Sequence, residues 1–318
     1  MKFMKMLKHG VLAALVCVSA WGASVDTVSA DSAGMEAFKE AMTKNTSFDK
    51  RVFREQLNFF LPSVKADIDF QGVSRNEKEL LLDGSFTGIM TDNKGDTQSL
   101  VVPFCLEQKK NKMAVYYKLG EEWTRIDAPE PSAAVVDSVG TPNEADLQDM
   151  ISMVKSAEVL QETDNQRTML LNLDAAALSK KIDTAFADEK DEKITPEQKA
   201  TREQFLGYVK KGLESTDIWC TWTVDKKDWQ TITFSMDLSG IIHGIAKAAL
   251  DDRSLELSDG LRSMLENLAF YSELKSYTTY LNPDTKKTIN LPKEIKNAKT
   301  FEEALAEKKD GKAEAAAK

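Results

Sequence analysis

The sequence predicts an α+β protein in which an antiparallel sheet with one apolar face is covered by amphipathic helices. Three observations predict it. Segment after segment alternates apolar and polar residues with period two, the pattern of strands that bury a single face. Short polar clusters rich in Gly, Asn and Asp separate those segments. Other segments carry apolar residues at helical spacing behind recognisable start signals. With 318 residues, 42% hydrophobic and 29% charged, the chain is long enough to bury a sizeable core in one large domain or two small ones.

The elements follow in order. Residues 1–30 read as a bacterial-type secretory signal: Lys2, Lys5 and Lys8, the short apolar run `VLAALVCV`, then small residues with candidate cleavage after Ala20, Gly22 or Ala30. No run of eighteen apolar residues exists, so no membrane-spanning helix is expected. Cys17 follows Val16 where a lipidation site wants a small residue, and so reads as part of the apolar run. The expected destination is the periplasm, the cell envelope or the exterior. Next, `MEAFKEAMTKN` suggests a short helix. In `SVKADIDFQGV`, Val64, Ala66, Ile68 and Phe70 alternate with polar residues. In `LLLDGSFTGIM`, Leu80, Leu82, Phe86 and Met90 share a face. In `SLVVPFCLE`, Leu100, Val102, Phe104 and Leu106 do so. `KMAVYYKL`, the turn `GEE` and `WTRID` complete an antiparallel meander.

From Ala128 to Asn143 proline and small residues interrupt the pattern. Leu147, Met150, Ile151 and Val154 are then spaced for one helical face. `EVLQETDNQRTMLLNLD` returns to strand. Asp174 is placed to cap a helix striped by Leu178, Ile182 and Phe186. After the solvated run `ADEKDEK`, Thr195, Pro196 and Gln198 form a capping box with proline at the first helical position. Phe205, Leu206, Val209 and Leu213 make that helix's apolar face. A hairpin follows, with Ile218, Cys220, Trp222 and Val224 on one arm and Ile232, Phe234, Met236 and Leu238 on the other. `IIHGIAKAAL` and `SDGLRSMLENLAF` read as helices. A final hairpin is expected over `YSELKSYTTYLNPDTKKTINLP`, turning at Asn282-Pro283-Asp284. The expected layout is a signal segment (1–30), a single domain (31–300) and a mobile polar tail (301–318).

Composition narrows the function. The net charge is −9. Cleavage after Ala30 would leave 39 basic against 50 acidic residues, or −11. With no basic stripe, nucleic acid is not an expected partner. Of the cysteines left after the signal, Cys105 points away from the Phe104 face while Cys220 lies on the Trp222 face. Sheet parity therefore argues for two separate thiols, and a disulfide would need a bulge such as Pro103 could supply. No Cys/His spacing suits a metal, and `TDNKGD` lacks the acidic spacing of a calcium loop and reads as a turn. His243 would be the sole histidine, between Ile and Gly in a helix. There is no `GxSxG`, `HExxH`, P-loop or dinucleotide turn. No catalytic residue, cofactor or metal is assigned. A spatial pair of carboxylates stays open as an enzymatic alternative.

Three segments together resemble the LolA/LppX-like superfamily of exported lipoprotein and lipid carriers: `YYKLGEEW`, `WTVDKKDWQTITFSMDLSG` and the closing `YTTYLNPDTKKTINLPKEIKNA`. The resemblance implies a strongly curved antiparallel sheet, an open half-barrel, with helices covering its concave face. It also implies a non-catalytic carrier that binds a lipid or acyl chain between sheet and helices. The matching apolar positions are Trp222, Ile232, Phe234 and Met236. Sheet parity adds Ile68, Phe70, Leu82, Phe86, Val102 and Phe104. The alternative is an envelope binding or sensor module of the same fold, whose helices at 196–215 and 241–270 fill the core and which acts through a protein partner. Transient membrane contact is compatible with either.

Overall fold

The computed structural model describes residues 32–44, 50–75, 79–92, 94–109, 112–128, 151–187, 195–281, 289–301 and 303. The expected signal segment, the stretch 129–150, the charge run 188–194, the turn 282–288 and most of the tail lie outside the described residues.

Among the described residues twelve strands form one sheet: β1 (Lys50–Leu61), β2 (Val64–Arg75), β3 (Glu79–Thr91), β4 (Thr97–Lys109), β5 (Lys112–Leu119), β6 (Glu122–Ala128), β7 (Val154–Glu162), β8 (Gln166–Leu173), β9 (Ile218–Asp225), β10 (Thr231–Asp237), β11 (Glu273–Leu281) and β12 (Lys299–Thr300). Their spatial order is β12-β6-β5-β4-β3-β2-β1-β11-β10-β9-β8-β7. Every pairing is antiparallel except the two-residue β12–β6 contact. The order runs from edge to edge without closing, so the architecture is an α+β open half-barrel. A twisted sheet of this many strands coils rather than lying flat, and closing on itself is avoided only because β7 and β12 do not meet.

The helices are α1 (Ser32–Lys44), α2 (Ala175–Ala187), α3 (Pro196–Glu214), α4 (Ser239–Asp251) and α5 (Asp259–Tyr271). Their starts follow the expected chemistry. Asp174 accepts hydrogen bonds from the backbone N–H groups of Ala176 and Ala177 at 2.8 and 3.1 Å. Ser258 accepts from the N–H of Leu261, and α3 opens on Pro196.

The main core lies between α1, α2, α3 and the inner face of β7–β10. It gathers Phe38 and Met42 of α1, Ile182 of α2, Val209 and Leu213 of α3, and Met169, Leu171, Ile218, Cys220, Trp222, Val224, Phe234 and Met236 of the sheet. A smaller cluster sits on the outer face, where Ile295 packs on Cys105, Ala114 and Tyr116. Both cysteines are free thiols and buried, on opposite faces. Burial, aided by Asp83 at Cys105, pushes both thiols up to about 12, which makes them poor nucleophiles.

Two expectations are corrected, and one strand was not expected. The helical stripe Leu147–Val154 does not reach its end: Met153 turns and Val154 opens β7. Val154 is a β-branched core residue paired with Leu173, and the sheet overrides the helical spacing. The closing segment is no hairpin. β11 is already paired on both sides, with β1 and with β10, so Ile289–Pro292 has no free edge to join. The chain crosses instead to the far side of the sheet, forms a 3-10 turn (Lys293–Asn297) and adds β12 parallel to β6. Strand β1, which no alternating segment in the reading above anticipated, occupies the middle of the sheet.

Candidate functional site: the inner face of the half-barrel

Register shows which side chains share the inner face. Residues directly opposite one another lie on the same side of a sheet. One row runs Met169, Trp222, Phe234, Thr278, Glu55, Phe70, Gly84, Phe104, Tyr117 and Thr124. The next runs Cys220, Met236, Ser276, Leu57, Ile68, Phe86 and Val102. A third holds Tyr280, Phe53, Gly72, Leu82 and Leu106.

Register places nine of the ten residues singled out from sequence on one face, in two environments; Ile232 lies at the register shift between Thr231 and Thr233 and falls outside these rows. Trp222 (3% exposed), Phe234 and Met236 lie under α1–α3 in the packed core. Phe38 of α1 meets the Trp222 ring edge-on at 5.7 Å, and the Trp222 indole N–H donates to Thr231 Oγ1 at 3.0 Å. This half of the wall is filled by the protein itself. Ile232 is half-buried at its margin. The other half is different. Phe70 and Leu82 are buried, but Ile68, Phe86, Val102 and Phe104 are only half-buried. Toward the strand ends on the same face, Leu100 is 52% and Met90 61% exposed. The large helix-covered cluster draws its buried sheet members from β7–β10 only.

Aromatic rings form a stripe across this second half. Tyr280 and Phe53 lie 6.1 Å apart, Phe53 and Phe70 6.3 Å, and Phe70 and Phe104 6.1 Å. Glycines let the rings meet. Phe70 and Phe104 stand on β2 and β4, with Gly84 of β3 between them. A Cβ at Gly84 would strike the Asp69 carbonyl and the Phe70 side chain, and would lie 2.8 Å from Phe70 Cα. The Phe53 ring covers Gly72 in the same way.

At the seam between the two halves sits a polar group. Glu55 is 3% exposed, the one buried acid among the described residues. Ser276 Oγ donates to its Oε1 at 2.5 Å and Thr278 Oγ1 donates to its Oε2. Burial raises the Glu55 carboxyl above its ordinary value, and the two hydroxyls oppose that rise without cancelling it. Its neighbours on the same face are apolar: Phe53 and Leu57 along β1, Phe70 across on β2. Sequence reasoning missed Phe53, Glu55, Leu57 and Tyr280 as inner-face residues. The signal existed: Phe53, Leu57, Phe59 and Leu61 alternate, and the charge at Glu55 breaks the run.

Two other polar features are structural. Arg167, on the filled half, donates to Glu40 at 2.9 Å, to Glu162 at 3.0 Å and to the Ala37 carbonyl at 3.1 Å, and its guanidinium lies 5.1 Å from the Trp229 ring centre. It ties α1 to the sheet. His243 Nε2 donates to the Ser272 carbonyl at 2.7 Å and joins α4 to the start of β11. Among the described residues no group of three or more His, Cys, Asp or Glu side chains is arranged to hold a metal ion. No described helix is long and apolar enough to cross a membrane.

No family model matches the sequence, and no curated protein matches it. Solved structures are similar in outline. LprF from Mycobacterium bovis is 11% identical over 82% of this chain and 99% of its own, with a TM-score of 0.39. A LolA superfamily protein from Nitrosomonas europaea is 9% identical over 83% and 97%, with a TM-score of 0.23. A DUF1329 family protein from Desulfovibrio piger is 10% identical over 81% and 96%, with a TM-score of 0.26. One of the three carries the superfamily name that the sequence motifs resemble. At these identities and scores the likeness is one of outline and carries no argument about function.

Proposed function

We propose that this chain is an exported, non-catalytic carrier that binds a lipid or acyl chain against the inner face of β1–β4. Residues 1–30 direct export, and residues 31–300 form one domain. The single observation that supports the reading is the uneven covering of one apolar face. The helices bury Trp222, Phe234 and Met236, yet Ile68, Phe86, Val102 and Phe104 stay half-buried beside the exposed Leu100 and Met90. Apolar surface held together by a rigid sheet and left uncovered by the described residues costs free energy, and an apolar ligand recovers about 0.8 kcal/mol for each CH₂ it buries. A chain of ten or more methylenes needs no further polar chemistry to bind.

A second reading has its own observation. The β7–β10 half is already filled by α1–α3, as it would be in an envelope module that acts through a protein partner. The test is native mass spectrometry of the mature protein from its own host, followed by organic extraction. Val102→Asp is the informative variant, because Val102 is half-buried on the open half. Phe234 is unsuitable, since a charge there would disrupt the core. Carriage predicts a bound species of lipid mass that Val102→Asp loses while keeping its circular dichroism. Clean apo protein that takes up no added fatty acid, phospholipid, monoacylglycerol or long-chain amine would refute carriage and direct the search to protein partners.

A further inference from the structure

We propose that Glu55, Ser276 and Thr278 form the polar subsite of this wall, which takes the hydrogen-bond-donating head group, hydroxyl or ammonium, of a ligand whose chain lies along Ile68, Phe86 and Val102. The inference rests on the carrier reading and names the ligand class for it.

Three side chains carry it. All are at least nine-tenths buried: Glu55 3%, Ser276 2% and Thr278 5% exposed. All stand on the inner face, where their sheet neighbours are Phe53, Leu57, Phe70, Phe234 and Met236. A carboxyl group in such a place is disfavoured unless it is hydrogen-bonded, paired or protonated. Each Glu55 oxygen accepts one hydroxyl hydrogen bond, and each retains a free lone pair. Among the described residues no cation pairs with it: burial and the two hydroxyls alone set its acidity. Thus the group is oriented, desolvated and left with acceptor capacity. Its position supplies the reach. Glu55 is directly opposite Phe70, and its neighbour Leu57 is opposite Ile68. Facing pairs on one sheet surface lie about 5 Å apart. A chain packed on Ile68 and Leu57 therefore has the carboxyl as its next neighbour along the face. An ionised Glu55 carboxylate rejects carboxylate and phosphate ends, which would face a like charge in a dry site.

The experiment compares three probes of one chain length at about pH 8, by competition against a fluorescent fatty-acid analogue: monoolein (hydroxyl donors), oleylamine (ammonium) and oleate (carboxylate). Wild type is expected to bind at least one donor-headed probe ~10-fold or more tighter than oleate, the span of one charge-assisted hydrogen bond. Glu55→Gln removes the charge and keeps the shape, so oleate tightens and that ratio falls toward one. A loss of oleylamine affinity identifies an ammonium head group, and retained monoolein affinity a hydroxyl one. Glu55→Asp is the second variant. It keeps the charge but withdraws it by one methylene, so the donor-headed probes weaken while oleate stays excluded. A wild-type ratio near one, or ratios unchanged in both folded variants, overturns the subsite while leaving the carrier reading intact, because the probes still bind. Failure of wild type to bind any probe overturns both.

Discussion

At the scale of single residues, Glu55 and Gly84 make the sharpest predictions. The carboxyl of Glu55 sits above its ordinary value of 4.5 in the folded state because burial disfavours its charge. The folded protein then holds that proton more firmly than the unfolded chain. The contribution to stability is full below 4.5 and is lost as pH rises through the folded value. Glu55→Gln removes this dependence. Its melting temperature relative to wild type should therefore climb between about pH 4 and pH 8, measured by calorimetry across that range. A difference that stays flat with pH would contradict the assignment. Gly84→Ala tests the aromatic stripe. The added methyl group meets the Asp69 carbonyl and Phe70, so overpacking of about 1–3 kcal/mol is expected. Chemical denaturation measures the cost. Probe binding should weaken too, because Phe70 cannot shift without leaving Phe104.

At the scale of elements, α1 is the most exposed to challenge. It carries Phe38, Ala41 and Met42 into the core and is held from the sheet side by Arg167. Phe38→Ala should cost about 3–5 kcal/mol in guanidinium unfolding. A loss under 1 kcal/mol would mean that α1 docks loosely. Elements also show what the sequence made legible. The strands of the meander and the helices behind Asp174 and Pro196 could be read because each carries its own local signal: period two, or a cap. The inner-face parity of Ile68, Phe86, Val102 and Trp222 followed from the same rule. β1 escaped because Glu55 interrupts its alternation, and the group that hid the strand is the one that gives its face polar chemistry. The closing hairpin misled because `YTTYLNPDTKKTIN` has a proper turn signal. What decides against it is the occupancy of both β11 edges by β1 and β10, a long-range fact that no local pattern contains. The division of one apolar face into filled and uncovered halves was illegible for the same reason, since it depends on where α1–α3 land.

At the scale of the whole molecule, the two halves of the sheet should differ in stability. The β7–β10 half is covered on its inner face by three helices and holds most of the fully buried side chains. The β2–β6 half has a thinner cover among the described residues. Native-state hydrogen exchange should find the slowest amides in β8 and β9 and markedly faster ones in β3 and β4. Added ligand of the right class should slow the second set and leave the first unchanged. Uniform protection across the sheet would argue for a single packed core. The strand order has one more consequence. β11, the last long strand to be made, is the tie between the two halves: it joins β1, with Ser276 meeting Glu55 across 221 residues of sequence, to β10. Until that strand emerges from the ribosome, the meander and the helix-backed hairpins have no shared hydrogen-bond ladder. A nascent chain stopped short of residue 273 lacks the strand that joins them. The ladder that makes one sheet of the two halves is therefore completed only when synthesis is nearly finished.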